Sequence, residues 1–302
     1  MNSDPKFLYL DLLKKSLTDL HRANCVFSKY ANAMPLEWVL PESLEKESGK
    51  SELAQLNIKK FCRFILISIF AKFGLLVTRF DQLSDTKRIE YRQTGKEWPA
   101  YAFTMAGLTR LDNIQFLVED ILKNDIPGDF IETGVWRGGS SIFMCGVLRA
   151  YGIKNRKVWV CDSFEGLPPP EHDQYPDDKG DNLSTYKILS VPQEVVENNF
   201  RLFDLLDSNV EFVKGFFEDT LYKIPSKKFS LVRLDGDMYS STIVALNELY
   251  KKLSYLGYIV IDDYALPPCK KAVEDFRKER NIQDEIIKID DLAAYWQKSD
   301  LQ

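Results

Sequence analysis

From residue 129 onward five short runs of β-branched and aromatic residues recur: "DFIETGV", "KVWVCD", "VEFVKG", "FSLVRLD" and "GYIVIDD". A helix-like segment follows each run. Strands alternating with helices indicate βαβ units and a parallel, doubly wound sheet. The final stretch, "DEIIKIDDLAAYWQKSDLQ", supplies one or two further strands at the sheet edge. A chain of 302 residues, 45% hydrophobic, is long enough to bury a real core in one large or two modest domains.

In open α/β sheets ligands sit at the carboxyl ends of the strands, so the residues that terminate each run carry the functional information. The first run ends in "ETGVWRGGSS" (132–141), where Gly134, Gly138 and Gly139 permit a tight turn and close approach of backbone to a ligand. The spacing is not G-x-G-x-x-G, and the turn by itself serves equally as a ligand loop or as a plain connection. The second run ends at Asp162, about 30 residues after Glu132. An acidic residue there accepts hydrogen bonds from ribose hydroxyls in many nucleotide-binding sheets, or caps the next turn. The fourth run ends in Asp235-Gly236-Asp237 and the fifth in Asp262-Asp263. Neighbouring strands lie roughly 4.8 Å apart, so these runs, if adjacent, bring four carboxylates to one rim. Like charges that close must protonate or bind a cation, and an all-oxygen donor set favours Mg²⁺, Mn²⁺ or Ca²⁺. Alternation along an extended segment would put Asp235 and Asp237 on one face.

Composition narrows the alternatives. Only His21 and His172 are present, which leaves little material for a histidine metal site or a Ser/His/Asp triad. Cys25, Cys62, Cys145, Cys161 and Cys269 form no C-x-x-C, so neither a zinc site nor a disulfide framework is indicated and a reducing, cytoplasmic setting is expected. Residues 1–100 carry 16 Lys+Arg against 12 Asp+Glu, a balance of +4; the remainder carries 24 against 33, a balance of −9. That acidic remainder argues against a nucleic-acid binder.

Residues 5–22 repeat apolar positions at helical spacing; the polar stretch 35–55 reads as a connector and the polar stretch 81–100 as the approach to the domain that follows. The start, "MNSDPKFLYLDLLKKSL", lacks the pattern of a signal peptide. Residues 61–80, "FCRFILISIFAKFGLLVTRF", are interrupted by Arg63, Lys72 and Arg79, so they read as a helix packed on the core, a subunit interface or an interfacial helix rather than a membrane span.

The segments "TMAGLTRLDN", "PGDFIETGVWRGGSS", "VWVCDSFEGLPPP", "VRLDGDMYSST" and "IVIDDYALPPCKKAVEDFR" resemble, in order and spacing, the macrocin O-methyltransferase (TylF-type) family over about residues 98–298. The resemblance implies a class I, Rossmann-like methyltransferase domain at 96–302, with a mostly parallel seven-stranded sheet, behind a helical N-terminal extension at 1–95. It implies S-adenosyl-L-methionine and Mg²⁺ as cofactors and a hydroxylated small molecule, a sugar of a glycoside, as acceptor. The catechol-like phenol acceptor and the non-catalytic cofactor-binding subunit are the rival readings, and a homo-oligomer is expected. Carried over by motif position, Asp235, Asp262 and Asp263 would bind the metal and Asp237 would act as general base. Glu132, Thr133 and Gly134 would line the methionine end of the cofactor, Asp162 and Ser163 its ribose, and Gly215 and Phe216 its adenine. Thr104 and Arg110 would belong to a lid. The sequence departs from the family at Cys161, where Ala is usual, and at Leu256, where Gly is usual.

Overall fold

The computed structural model describes residues 4–22, 85–96, 99, 101–225 and 228–299. The 35–55 connector, the 61–80 stretch, Cys25 and Cys62 lie outside the described residues. The first helix, α1 (Pro5–Leu17), starts with Asp4 accepting from the Lys6 N–H at 2.9 Å and with Pro5, which needs no donor partner there. It stops short of the expected residue 22. Asp19 takes a left-handed φ of 56° and a 3₁₀ turn, Leu20–Arg22, follows. The polar approach to the following domain holds a helix, α2 (Asp85–Thr94), and α3 (Gly107–Lys123) follows it.

The core alternates as the five runs require: β1 (Asp129–Thr133), α4 (Gly139–Ala150), β2 (Val158–Asp162), α5 (Gln193–Leu202), β3 (Val210–Lys214), the single-turn α6 (Phe217–Thr220), β4 (Phe229–Leu234), α7 (Tyr239–Leu249), β5 (Leu253–Ile261) and α8 (Pro267–Glu279). Two short strands, β6 (Ile287–Lys288) and β7 (Ala294–Gln297), complete a seven-stranded sheet in the order β3-β2-β1-β4-β5-β7-β6. β1 to β5 are parallel; β7 runs antiparallel to β5 and β6 antiparallel to β7. Within the sheet the order reverses between β1 and β4, where a doubly wound fold opens its ligand crevice.

Neighbouring strand residues point to opposite faces, and each face has its own apolar layer. Phe130, Val158, Val160 and Leu231 pack with α1, α3, α4 and α5, whereas Ile131, Trp159, Cys161, Val232 and Ile259 pack with α7 and α8. Leu10, Leu13 and Leu17 of α1 are buried in the first of these layers. Each such side chain removed from water contributes roughly 1.5–3 kcal/mol. α1 therefore docks on the sheet-covering layer. Gly146 lets it approach α4 closely, because a Cβ there would lie 2.3 Å from Leu13 Cδ2.

Two departures from the family pattern have a structural context. Cys161 is fully buried against the second layer, a position in which a small apolar residue suffices. Leu256 adopts φ 61°, a conformation in which glycine would be unstrained, at the irregularity where β4 passes from pairing with Leu253 to pairing with Tyr258. Cys145, Cys161 and Cys269 are free thiols. Among the described residues no helix is long and apolar enough to cross a membrane.

Candidate active site

The register of the sheet builds the site. Thr133 on β1 pairs with Leu234 on β4, which pairs with Ile261 on β5, so the next residues along share one rim. The ladder continues one step past the strands: Gly134 N–H donates to Cys161 O, Asp235 N–H to Thr133 O and Asp262 N–H to Leu234 O, each at 2.9 Å. A cleft enclosing about 1210 Å³ of empty space, open to solvent, lies over this rim.

Gly134 has φ 82°, and a Cβ on it would lie 1.7 Å from the Asp235 carbonyl oxygen. Only glycine fits where β1 leaves the sheet beside β4. The turn runs on through Trp136 at φ 48° and Gly138 at φ 84° into α4. Asp162 organises that turn: its carboxylate accepts from the Val135 and Phe164 backbone N–H groups, each at 2.7 Å. Burial raises its pKa and these backbone donors oppose the rise.

The acidic rim is organised by an arginine that motif reading did not single out. Arg233 on β4 is 1% exposed and reaches carboxylates from three strands. Nη1 donates to Glu132 Oε1 and, at 2.8 Å, to Asp235 Oδ2, while Nη2 lies 2.5 Å from Asp262 Oδ1. Arg110 on α3 donates from Nη1 to Asp262 Oδ2 at 2.5 Å and from Nε to Asp290 Oδ2 at 2.8 Å. Arg110, expected in a lid, is buried, lines the cleft and is fixed by these two ion pairs. Against the cost of burial, the two guanidiniums hold the Asp262 carboxyl below its ordinary pKa. The other acids are pushed the opposite way. Burial, together with repulsion from Asp235 and Asp262, raises Asp237 to about 7. Burial first, and then neighbouring carboxylates, raise Asp235 and Asp263 as well. Glu132 rises to about 7 through burial, opposed by Arg233 and by the hydroxyl of Ser141, which donates to it.

Asp235, Asp262 and Asp263 each offer a carboxylate oxygen, and these lie within 4.8 Å of one another. Three hard oxygen donors at that separation suit a divalent cation such as Mg²⁺. Both Asp262 oxygens face guanidiniums, Oδ1 with Arg233 Nη2 and Oδ2 with Arg110 Nη1, each at 2.5 Å. Arg233 and Arg110 face these acids, yet burial and neighbouring carboxylates still push Asp235 and Asp263 up, and the all-oxygen donor set fits a cation. Asp237 joins the cluster by a different route from the extended alternation expected of it. Its φ is 55°, a left-handed turn, and its backbone N–H donates to Asp263 Oδ2 at 3.1 Å.

Of the residues assigned to the cofactor by motif position, Thr104, Arg110, Glu132, Gly134, Asp162, Ser163 and Phe216 line the cleft. Thr104 Oγ1 lies 3.2 Å from Ser140 Oγ at the start of α4 and accepts from Ala106 N–H. Thr133 does not line the cleft: it is fully buried within the sheet, because its neighbours Glu132 and Gly134 take the rim. Gly215 is also absent from the wall. Its N–H is used by Asp162 O, and Phe216, Phe217 and Glu218 form that side. His172 is exposed and does not line the cleft. Trp136 is in the wall, with Nε1 donating to Ile188 O at 2.9 Å, while Arg137 stacks 4.1 Å from the Trp136 ring and donates to Ala102 O. Arg137 therefore packs the turn.

The family model of macrocin O-methyltransferase (TylF) matches residues 6–298. The chain is 46% identical over 222 residues to demethyldecarbamoylnovobiocin O-methyltransferase of Streptomyces niveus, covering 73% of this chain and 85% of the relative. It is 48% identical over 206 residues to 8-demethyl-8-(2,3-dimethoxy-alpha-L-rhamnosyl)-tetracenomycin-C 4'-O-methyltransferase of Streptomyces olivaceus, covering 68% of this chain and 79% of the relative. Its structure superposes on that of the O-methyltransferase NovP with a TM-score of 0.74 and 38% identity, covering 98% of this chain and 100% of the other. The doubly wound sheet, the strand-end rim and these likenesses together make the chain a class I methyltransferase of the macrocin O-methyltransferase family.

Proposed function

We propose that the protein transfers a methyl group from S-adenosyl-L-methionine to a sugar hydroxyl of a glycosylated natural product, with Mg²⁺ held at the acidic rim. The observation that carries the metal reading is the Asp235, Asp262 and Asp263 trio, whose carboxylate oxygens lie within 4.8 Å of one another. The acceptor class is supported by the rhamnosyl acceptor named for the Streptomyces olivaceus relative. When bound, the cofactor supplies an electrophilic methyl group and the cation supplies the Lewis acidity that lowers a hydroxyl's pKa.

The chain's own residues do the rest. Glu132, Gly134, Asp162, Ser163 and Phe216 hold the cofactor along the β1 and β2 ends of the cleft, and Thr104 closes its helical side. Asp235, Asp262 and Asp263 would hold the cation at the β4 and β5 ends, beside the point where the strand order reverses, so that a bound acceptor hydroxyl lies next to the cofactor. Asp237, with its carboxyl raised to about 7, accepts the hydroxyl proton at a carboxylate oxygen. Arg233 and Arg110 keep Asp262 ionised and fixed.

The test is Asp237→Asn. Methyl transfer to a glycoside panel with labelled donor should be lost while S-adenosylhomocysteine affinity stays within about threefold, and EDTA should silence the wild type until Mg²⁺ is returned. Normal turnover by the variant would remove Asp237 as the base. Chelator-insensitive turnover would remove the metal, and preference for catechols over glycosides would remove the sugar acceptor.

A further inference from the structure

Between β2 and α5 the chain runs through a long connection, residues 163–192, that supplies one wall of the cleft through Leu167, Pro168, Leu183 and Leu189. The stretch "EHDQYPDDKGDN" within it reads from sequence as a solvated acidic loop. One of its carboxylates is anything but solvated. Asp178 is 1% exposed. Its Oδ1 accepts from the Tyr239 backbone N–H at 2.6 Å and its Oδ2 from the Ser240 N–H at 3.0 Å. Those are two of the first-turn donors of α7, a helix whose own cap residue, Met238, supplies no side-chain acceptor. Tyr175 lies against Tyr239, ring centroids 6.1 Å apart, and Tyr239 Oη donates to Asp275 on α8 at 3.2 Å.

The position of α7 matters more than its cap. Its first residue follows Asp237 by two, and Asp237 sits in a left-handed turn with its N–H on Asp263. A carboxylate that accepts from both Tyr239 and Ser240 therefore does two things: it docks the connection and it holds the turn that aims Asp237. The far end of the connection is tied separately, by Trp136 Nε1 on Ile188 O. We propose that Asp178 is a positioning residue, a latch that fixes the 163–192 connection onto the first turn of α7 and so sets the cleft wall that this connection supplies, together with the geometry of Asp237.

The latch is tested without any acceptor, so failure of the sugar-acceptor reading leaves it standing and failure of the latch leaves that reading standing. Asp178→Ala and Asp178→Asn are compared with wild type for the rate of trypsin cleavage after Lys179, hydrogen exchange of the Tyr239 and Ser240 amides, S-adenosylhomocysteine affinity and Tm. The alanine variant should raise cleavage and exchange about tenfold or more, because two charge-assisted bonds are lost, while S-adenosylhomocysteine affinity stays within about threefold. Asparagine keeps one acceptor oxygen and should fall between the two. A merely structural role would instead lower Tm and cofactor-product affinity together, and that pattern overturns the proposal. So does cleavage and exchange within about twofold of wild type in either folded variant. Should the alanine variant not fold, the asparagine variant decides: intermediate protection upholds the latch and wild-type protection overturns it.

Discussion

Replacing Arg233 by Met keeps a linear side chain in the β4 interior but removes the positive group that, alone among the described residues, touches Glu132, Asp235 and Asp262 together. Breaking a buried ion pair from one side costs about 3–5 kcal/mol, since the remaining charge stays buried and uncompensated. At about 2.1 cal/mol/K of unfolding entropy per residue, 302 residues convert that loss into a fall in Tm of roughly 5–8 °C. The fall should depend on pH, and its sign follows from Glu132. Its folded pKa of about 7 exceeds its ordinary 4.5, so the folded state binds a proton that the unfolded chain has released, and stability declines as pH rises through that window. Arg233 opposes this rise, so without it the folded pKa climbs further and the decline extends to higher pH. The deficit between variant and wild type should therefore be largest near pH 8 and shrink toward pH 5.5, where Glu132 carries its proton. Metal-free protein followed by calorimetry and circular dichroism at both pH values is the assay. A Tm deficit under about 1 °C at pH 8, or one independent of pH, would refute the claim that Arg233 compensates the buried carboxylates.

Other expectations follow from the same geometry. Gly134→Ala should yield protein that is insoluble or melts far below wild type, because its Cβ would occupy the Asp235 carbonyl; Gly152→Ala, at φ 68° with nothing within 4 Å, should cost only about 1 kcal/mol by thermal melting. The rate of methyl transfer at limiting Mg²⁺ should rise through about pH 7 as Asp237 loses its proton. Saturating Mg²⁺ should move that limb to lower pH, since a cation opposes the repulsion from Asp235 and Asp262; an unmoved limb would separate Asp237 from the cation site.

The features legible in the sequence are the local ones. Five apolar runs separated by helical segments announce a parallel sheet, and each run's last residue marks the rim, because strand period and strand length are set by neighbouring residues. Asp235, Asp262 and Asp263 could be read in that way, and β4 and β5 are adjacent as their convergence requires. The helix at 85–94 escaped because its residues are polar and it buries little beyond Arg88 and Arg92. Thr133 and Gly215 were assigned to the cleft by motif position alone, and the side on which each faces is a matter of register and local backbone.

What only the tertiary structure decided is how the charges are balanced. Arg233 lies 101 residues from Glu132, and Arg110 lies 152 residues from Asp262. Asp178 meets α7 across 61 residues. The sequence shows carboxylates in number at strand ends, which is enough to predict a cation. It does not show which of them already has a guanidinium partner and which is folded away to cap a helix. Those outcomes depend on distances of a few ångströms between residues far apart in the chain, and in a buried site such distances set the energy of each charge.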